Sequence, residues 1–395
     1  MENLCEFEAT VVTGFEKVAA EEVKEKFDVD SIVERGCIQF TIPVSKAKEV
    51  VLDLQSIDNV FIIINHFRDF KFANTTIDNC QQFKELIPNI DWKRAIELWS
   101  LFHSFPHPID HNPAPGWEER IKIKPPLDYR CSDEDNKSFD KTKPKFRGTC
   151  FRAAYKMKHN FQSTDLQKFF GGGIHDYFNW NVDLKNFDID CVLFVQDDHV
   201  YVGVGVTKSS LHKRHLIAFT STSLRSTIGY NMCRLCHIQP GEVVCDPMCG
   251  GGSIPIEACL NWQENIHLCG DIDEKLLSKS LTNLENAGVI HKMSIHKWDV
   301  TALPLKDNFV DVFVTDMPFG KRSGSKRNNW ELYPKALTEM ARVCKQESGR
   351  ACLLTQDKKC MLHTLSKLSH LWKRCQTIGV NVGGLAAAVY FLRRL

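Results

Sequence analysis

The sequence contains no apolar run approaching 18 residues, so no membrane-spanning helix is expected. It opens MENLCEFEAT, which carries acids and no apolar stretch, so no secretory signal is expected either. The expected compartment is the cytoplasm, where thiols stay reduced, and the sixteen cysteines are therefore not read as disulfides. A zinc site needs a second ligand pair, and the single CxxC, Cys233-Arg-Leu-Cys236, has none at metal spacing. His237 completes a CxxCH, but its surroundings repeat apolar residues at helical spacing, which suits two small residues on a packed helix better than haem attachment. Excess charge is also missing. A formal net charge of +1 says nothing about a polyanionic partner, so charge distribution has to carry that question.

A chain of 395 residues is long enough for two or three domains. Residues 1–104 alternate short strands and helices, an α+β pattern in which Thr13 is placed to cap a helix over Phe15–Phe27. Residues 105–145 break the rhythm: six prolines between Pro106 and Pro126 precede a polar run, and no periodic apolar face is present, so a loop or partly disordered insertion is expected. Residues 146–208 resume with a strand, a helix and two strands hinged at Asp197-Asp198. From 209 to 395 single strands alternate with single helices, the pattern of an open α/β sheet with right-handed crossovers. The last two strands, with no helix between them, are expected to pair antiparallel.

The chemistry concentrates in that last segment. Asp246-Pro-Met-Cys-Gly-Gly-Gly-Ser253 follows a strand and opens a helix. It lacks the Gly-Lys-Ser/Thr of a phosphate loop and the GxGxxG of a dinucleotide fold, which leaves a carboxylate-bearing cofactor as the better guest. The next strands end in Asp271 and Asp299, at the edge where such sheets bind ligands. Asp271 suits the ribose hydroxyls of an adenosine, Asp299 the adenine amine, and Asp273 a helix cap. Cys249, Gly250, Gly252, Ile272 and Val300 are assigned to the same cofactor. The fourth strand ends in Asp316-Met-Pro-Phe319. Here the Asp316 carboxylate and the Met317 carbonyl can accept the two hydrogens of an exocyclic amine, while Pro318 stiffens the turn and Phe319 offers a stacking face. Asp316 also borders the cofactor. Two basic groups point to a phosphate-rich substrate: Lys145, Arg147, Arg152, Lys156, Lys158 and Lys168, and then Lys321 and Arg322 beside the turn.

Several stretches occur in the order seen in one family: Thr13-Gly-Phe-Glu16, Lys168 to Phe178, Leu211-His-Lys-Arg214, Leu224-Arg-Ser-Thr227, Asp246 to Gly250, Val314 to Arg322, Leu353 to Asp357 and Val380 to Leu385. In these the chain resembles the THUMP-containing tRNA guanosine methyltransferases, with only the proline-rich insertion outside the match. Met317 departs from the pattern, which usually has Leu or Pro there. The resemblance implies a Rossmann-like class I methyltransferase domain over 209–395, after a ferredoxin-like part (1–104) and a THUMP RNA-binding part (146–208). It implies S-adenosylmethionine as cofactor, tRNA as substrate with guanosine N(2) in the acceptor-stem region as target, and a small zinc-binding activator subunit as partner.

Taken without the resemblance, the Asp-x-Pro-Phe turn also suits adenine N(6) or a protein glutamine amide as acceptor. A catalytically silent RNA-binding protein is a further reading, although such proteins usually lose the glycines or the acid that this chain keeps. Because every residue assigned to the cofactor lies in 209–395, that segment is expected to bind it, given the activator subunit.

Overall fold

The computed structural model describes residues 3–124, 139–153, 156–220, 223–320 and 326–395. In chain order the elements of the first half are β1 (Leu4–Thr10), α1 (Glu16–Phe27), β2 (Ile32–Glu34), β3 (Cys37–Pro43), α2 (Ala47–Asp53), β4 (Asn59–Phe67), α3 (Thr76–Glu85), α4 (Trp92–Trp99), α5 (Trp117–Lys122), β5 (Lys145–Ala153), α6 (Ser163–Phe178), β6 (Asn181–Val182), β7 (Ile189–Gln196) and β8 (His199–Gly205). The second half has α7 (Ser226–Leu235), β9 (Val243–Asp246), α8 (Ser253–Asn261), β10 (Ile266–Asp271), α9 (Glu274–Asn286), β11 (Met293–Lys297), β12 (Val312–Asp316), α10 (Lys326–Val343), β13 (Arg350–Thr355), α11 (Lys358–Lys367), β14 (Trp372–Val382) and β15 (Leu385–Arg394). No helix among the described residues is long and apolar enough to cross a membrane.

The strands form two sheets, one ordered β2-β3-β1-β4-β8-β7-β5-β6 and the other β11-β10-β9-β12-β13-β15-β14. In the second sheet β9 to β13 run parallel, and β15 runs antiparallel to both β13 and β14; the β14–β15 pairing is as expected for strands joined by a tight turn. Parallel strands need buried faces, and β9, β12 and β13 are apolar almost throughout. One side is filled by Phe313, Tyr333, Leu337, Met340, Leu353 and Met361, which join α10 and α11 to the sheet.

The compact units do not follow the divisions expected from sequence. One comprises 1–9, 39–53 and 59–208, and the other 10–38, 54–58 and 209–395. Residues 10–38 and 54–58 therefore belong with the methyltransferase-like sheet, and polar burial shows why. The Glu22 carboxylate, with no exposed surface, accepts from the Tyr230 hydroxyl at 2.6 Å and the Ser56 amide at 3.0 Å. Asp58 accepts from Thr227 at 2.7 Å and from the Arg225 guanidinium at 2.9 Å. The second unit thus satisfies polar side chains on and beside α7 through residues that sequence position assigns elsewhere. Such contacts have no local periodicity, so pattern reading misses them.

Two smaller expectations also change. Phe15, not Thr13, occupies the N-cap of α1 without a side-chain cap, and the Glu16 carboxylate instead accepts the amides of Gly14 and Gly36 at 2.8 and 2.9 Å. The proline-rich insertion is docked as far as residue 124. Arg120 donates to the carbonyls of Asp176 and Pro115, Lys84 donates to the carbonyls of Arg120 and Ile123, and Ile121 is buried. It is anchored by charge on carbonyls and by two apolar contacts, buried Ile121 and Trp117 against Tyr177, which are too few to give a periodic face. The polar residues 125–138 lie outside the described residues.

Candidate active site

A cavity of ≈ 920 Å³ opens at the carboxyl ends of β9, β10 and β12. It is where an open α/β sheet places its ligand, because the crossover helices leave a crevice there. The turn after β9 forms its floor. Gly250 and Gly252 adopt φ of +52° and +84°, conformations that L side chains rarely reach, so the backbone reverses sharply before α8. Gly250, Gly251 and Ser253 line the cavity, bringing main chain rather than bulky side chains to its surface.

Asp246, Asp271, Asp299 and Asp316 all reach this cavity. Asp246 is buried and accepts from the Met248 amide at 3.1 Å; burial pushes its carboxyl up to about 7. Asp271 accepts from the Gly250 amide through one oxygen and from the Asp273 amide through the other, both at 3.0 Å. Burial raises its pKa, and those amides oppose the rise. Asp273 caps α9, accepting from Lys275 at 2.8 Å. Asp299 is exposed and holds its own turn through the Thr301 amide and hydroxyl, each at 2.8 Å.

Asp316 differs from the other three. Its Oδ1 is sealed from solvent and has no hydrogen-bond partner. Burial, and then the nearby Asp246 charge, push the carboxyl well above the ordinary carboxylate range. An unpartnered buried acceptor is costly, and it belongs to a side chain that is otherwise only half-buried on the cavity wall. Met317 turns its side chain into the core, while Pro318 and Phe319 remain on the cavity wall.

Most residues expected at the cofactor are brought together. Ile272, largely exposed, and Val300, buried, both line the cavity. Cys249 lines it too, although its side chain packs with Leu216, Ile256 and Cys269, so only its main chain is offered. Gly252 is a correction: it is not on the cavity wall. It is the N-cap of α8, and an added Cβ would meet the Ser280 hydroxyl at 2.6 Å, so it serves the turn and its packing. Leu216, Ser223, Leu224 and Arg225 form a wall that sequence reasoning does not assign, and Val382, Gly383 and Leu385 add part of another. The stretches Leu224–Thr227 and Val380–Leu385 carry family likeness without a role of their own, and that is the available signal. From α10, Asn328, Glu331, Leu332 and Lys335 also face the cavity.

The basic residues divide. Arg147 is half-buried, paired with the buried carboxylate of Asp190 and stacked on Phe187, so its charge is already partnered. Lys145 pairs with Asp183 and lies over Phe139. Arg152 is half-buried on β5, whereas Lys156, Lys158 and Lys168 are exposed. Lys321 and Arg322 lie outside the described residues. Cys233 and Cys236 are fully buried on and just after α7.

Residues 214–388 match a family model described as the RMKL-like methyltransferase domain UPF0020. The chain is 37% identical to the human tRNA (guanine(6)-N(2))-methyltransferase THUMP3, over 98% of this chain and 87% of that one. Among solved structures, TrmN from Thermus thermophilus superposes with a TM-score of 0.73 at 20% identity, covering 99% of this chain and 100% of that one. SMU.472, solved in complex with SAH, superposes with a TM-score of 0.69 at 16% identity, covering 100% of this chain and 99% of that one.

Proposed function

The chain belongs to the THUMP3-like family of tRNA guanine-N(2) methyltransferases, and from that premise we propose that it transfers a methyl group from S-adenosylmethionine to the N(2) amine of a guanosine in tRNA, with Asp316 as the acceptor that orients the amine. The single observation that carries the residue assignment is the place of Asp316, half-buried on the cavity wall at the end of β12.

The cavity suits this cofactor. The Cβ-free turn at Gly250 and Gly251 admits an amino-acid tail, and Asp271 stands at the tip of β10 for ribose hydroxyls. When bound, the cofactor supplies an electrophilic methyl on a sulfonium. A guanine amine is a poor nucleophile because its lone pair is delocalised into the ring. Asp316 and the Met317 carbonyl accept its two hydrogens and turn the lone pair toward the methyl carbon, and Phe319 stacks on the base. Nitrogen forms the new bond as the carbon–sulfur bond breaks, and the electron pair stays on sulfur. The surplus amine proton passes to the Asp316 carboxylate, whose raised proton affinity suits it to the task. A cationic cofactor nearby favours the ionised carboxylate beforehand.

The RNA is gripped by residues 1–208, where exposed Lys156, Lys158 and Lys168 offer phosphate contacts, and the target lies in the acceptor-stem region. The protein acts in the cytoplasm. A small zinc-binding activator subunit pairs with it, as the family resemblance implies.

Incubating the purified chain, alone and with the activator, with labelled cofactor and tRNA transcripts tests this reading. The expected product is N(2)-methylguanosine; label in adenosine or in protein overturns it. Replacing Lys156 and Lys158 by Ala is expected to weaken tRNA binding and to reduce the logarithmic salt slope by ~0.7–0.9 for each phosphate that is no longer neutralised.

A further inference from the structure

Asn329 and Tyr333 sit four residues apart on α10, so they share one helix face. Both are essentially buried, at 1% and 0% exposure. They converge on one atom: the Asn329 Nδ2 donates to the Pro318 carbonyl at 3.0 Å, and the Tyr333 hydroxyl donates to the same oxygen at 2.7 Å. That carbonyl belongs to the Asp316–Phe319 turn. The opposite end of the turn is fastened as well, since the Met317 amide donates to the Leu354 carbonyl at 2.8 Å, extending the β12–β13 pairing.

A second tier holds the first. Tyr333 Oη lies 2.7 Å from Thr355 Oγ1, and the Asp357 amide donates to Thr355 Oγ1 at 2.9 Å. A phenol has one proton, which goes to Pro318, so Thr355 donates to Tyr333 and accepts from Asp357. The proton order along this relay is therefore fixed. The Asn329 amide also donates to Asp357 Oδ2 at 3.2 Å, while the other oxygen of Asp357 accepts the Cys360 amide at the start of α11. Asn329 Oδ1 has no partner in its buried site. Flipping the amide would set that oxygen against two acceptors, which is worse, so the orientation stands. A buried amide with one end unsatisfied is expensive to keep, and its satisfied end ties the turn to Asp357.

We infer that Asn329 and Tyr333, backed by Thr355 and Asp357, are positioning residues for amine methylation, fixing the Asp316–Phe319 turn from behind so that Asp316 and the Met317 carbonyl meet the amine in line with the methyl group. The inference rests on Asp316 being the amine acceptor. It gives a role to the stretch Leu353-Leu-Thr-Gln-Asp357, whose Thr and Asp form the second tier. Two donors on one carbonyl limit the turn's travel, and in-line transfer is sensitive to misplacement of about 1 Å, which costs ~100-fold in rate.

The test uses the full chain with its activator and a tRNA substrate. Tyr333→Phe keeps the ring and removes the hydroxyl. We expect kcat to fall ~10–100-fold, with KM for tRNA and cofactor affinity within about twofold of the parent. Asn329→Ala should show the same split. The double variant should lose less than the product of the single losses, because both donors act on one carbonyl. A purely structural role would lower thermal stability and leave kcat of the folded protein intact, and normal kcat in Tyr333→Phe or, should that variant not fold, in Asn329→Ala overturns the inference. Asp316→Ala, assayed alongside, separates the two claims: an active Asp316→Ala removes the premise, whereas an inactive one beside a fully active Tyr333→Phe removes only the positioning role.

Discussion

On the β10 side of the cavity the Asp271 carboxylate already accepts two backbone amides, whereas on the β12 side Asp316 Oδ1 is sealed and has no partner. Both acids end parallel strands of one sheet and both face one cavity. Their difference separates two jobs. Asp271 ties the Gly250 turn to α9 while it awaits ribose hydroxyls, so it is a building element as well as a ligand. The turn that carries Asp316 is held by Asn329, Tyr333 and Leu354 instead. Support and chemistry coincide in one residue on the first side and are divided among several on the second. Variants on the two sides should therefore fail in different ways.

The largest effect removes both sides at once. A fragment of 209–395 lacks Glu22, Ser56 and Asp58, which satisfy Tyr230, Asn231, Arg225 and Thr227 on and beside α7. Each of these bonds is worth about 0.5–1.5 kcal/mol net, and the deleted residues also cover the apolar face of α7, against a typical domain stability of roughly 5–15 kcal/mol. The fragment is expected to show no cooperative melting transition and no cofactor binding by calorimetry. This reverses the expectation that 209–395 binds the cofactor when given its activator, and a folded fragment with parental affinity in the activator's presence would restore it.

Next comes Asp316→Ala. Loss of the oriented acceptor is expected to lower the methylation rate ~100-fold or more, while cofactor affinity stays near the parental value. Thermal stability should rise or hold, since the substitution deletes an unpartnered buried group. A fall in stability comparable to that of Asp271→Ala would mean that Asp316 supports the fold, and the comparison would collapse.

Asp271→Ala should do the opposite. Removing a charged acceptor for two hydroxyls weakens cofactor binding by about 1.5–3 kcal/mol, and freeing the Gly250 and Asp273 amides lowers the melting temperature as well. Unchanged affinity in calorimetry would transfer the ribose contact to Asp273.

How far the sequence reveals this site follows from how each residue gets there. Asp246, Asp271, Asp299 and Asp316 are legible because strand ends of an open α/β sheet gather on one edge whatever the loops do. Their grouping needs only the strand order. Asn329 and Tyr333 are not legible, since nothing local to α10 says that its buried face meets a carbonyl eleven residues upstream rather than core. Leu216 and Ser223–Arg225 arrive from before β9, outside the strand–helix alternation. Gly252 reads as a cofactor residue because the three glycines look equivalent in sequence; only the Ser280 contact shows that one of them faces inward. Arg147 shows the same weakness for charge, because a basic run does not reveal which member has a buried acid opposite it.

The smallest effect concerns Asp246, which lies between the two sides and whose charge raises the pKa of Asp316. Burial lifts its own carboxyl from the ordinary 3.8 to about 7, so between those values the folded state holds a proton that the unfolded chain has released. Stability from this group is fully present below pH ~4 and is lost as pH rises through ~7, because uptake of protons by the folded state makes the slope of unfolding free energy with pH negative. Asp246→Asn keeps the shape and removes the titration. Measured by thermal unfolding without cofactor, the variant should gain on the parent from about pH 4 to about pH 7 and level off above that. In the parent, the sulfonium of the cofactor favours the ionised form, so cofactor binding should release protons near pH ~7, and this release should shrink in Asp246→Asn. A stability difference between variant and parent that does not change over this range would mean that Asp246 stays ionised in the folded protein, and the electrostatic link between the two sides of the cavity would then be absent.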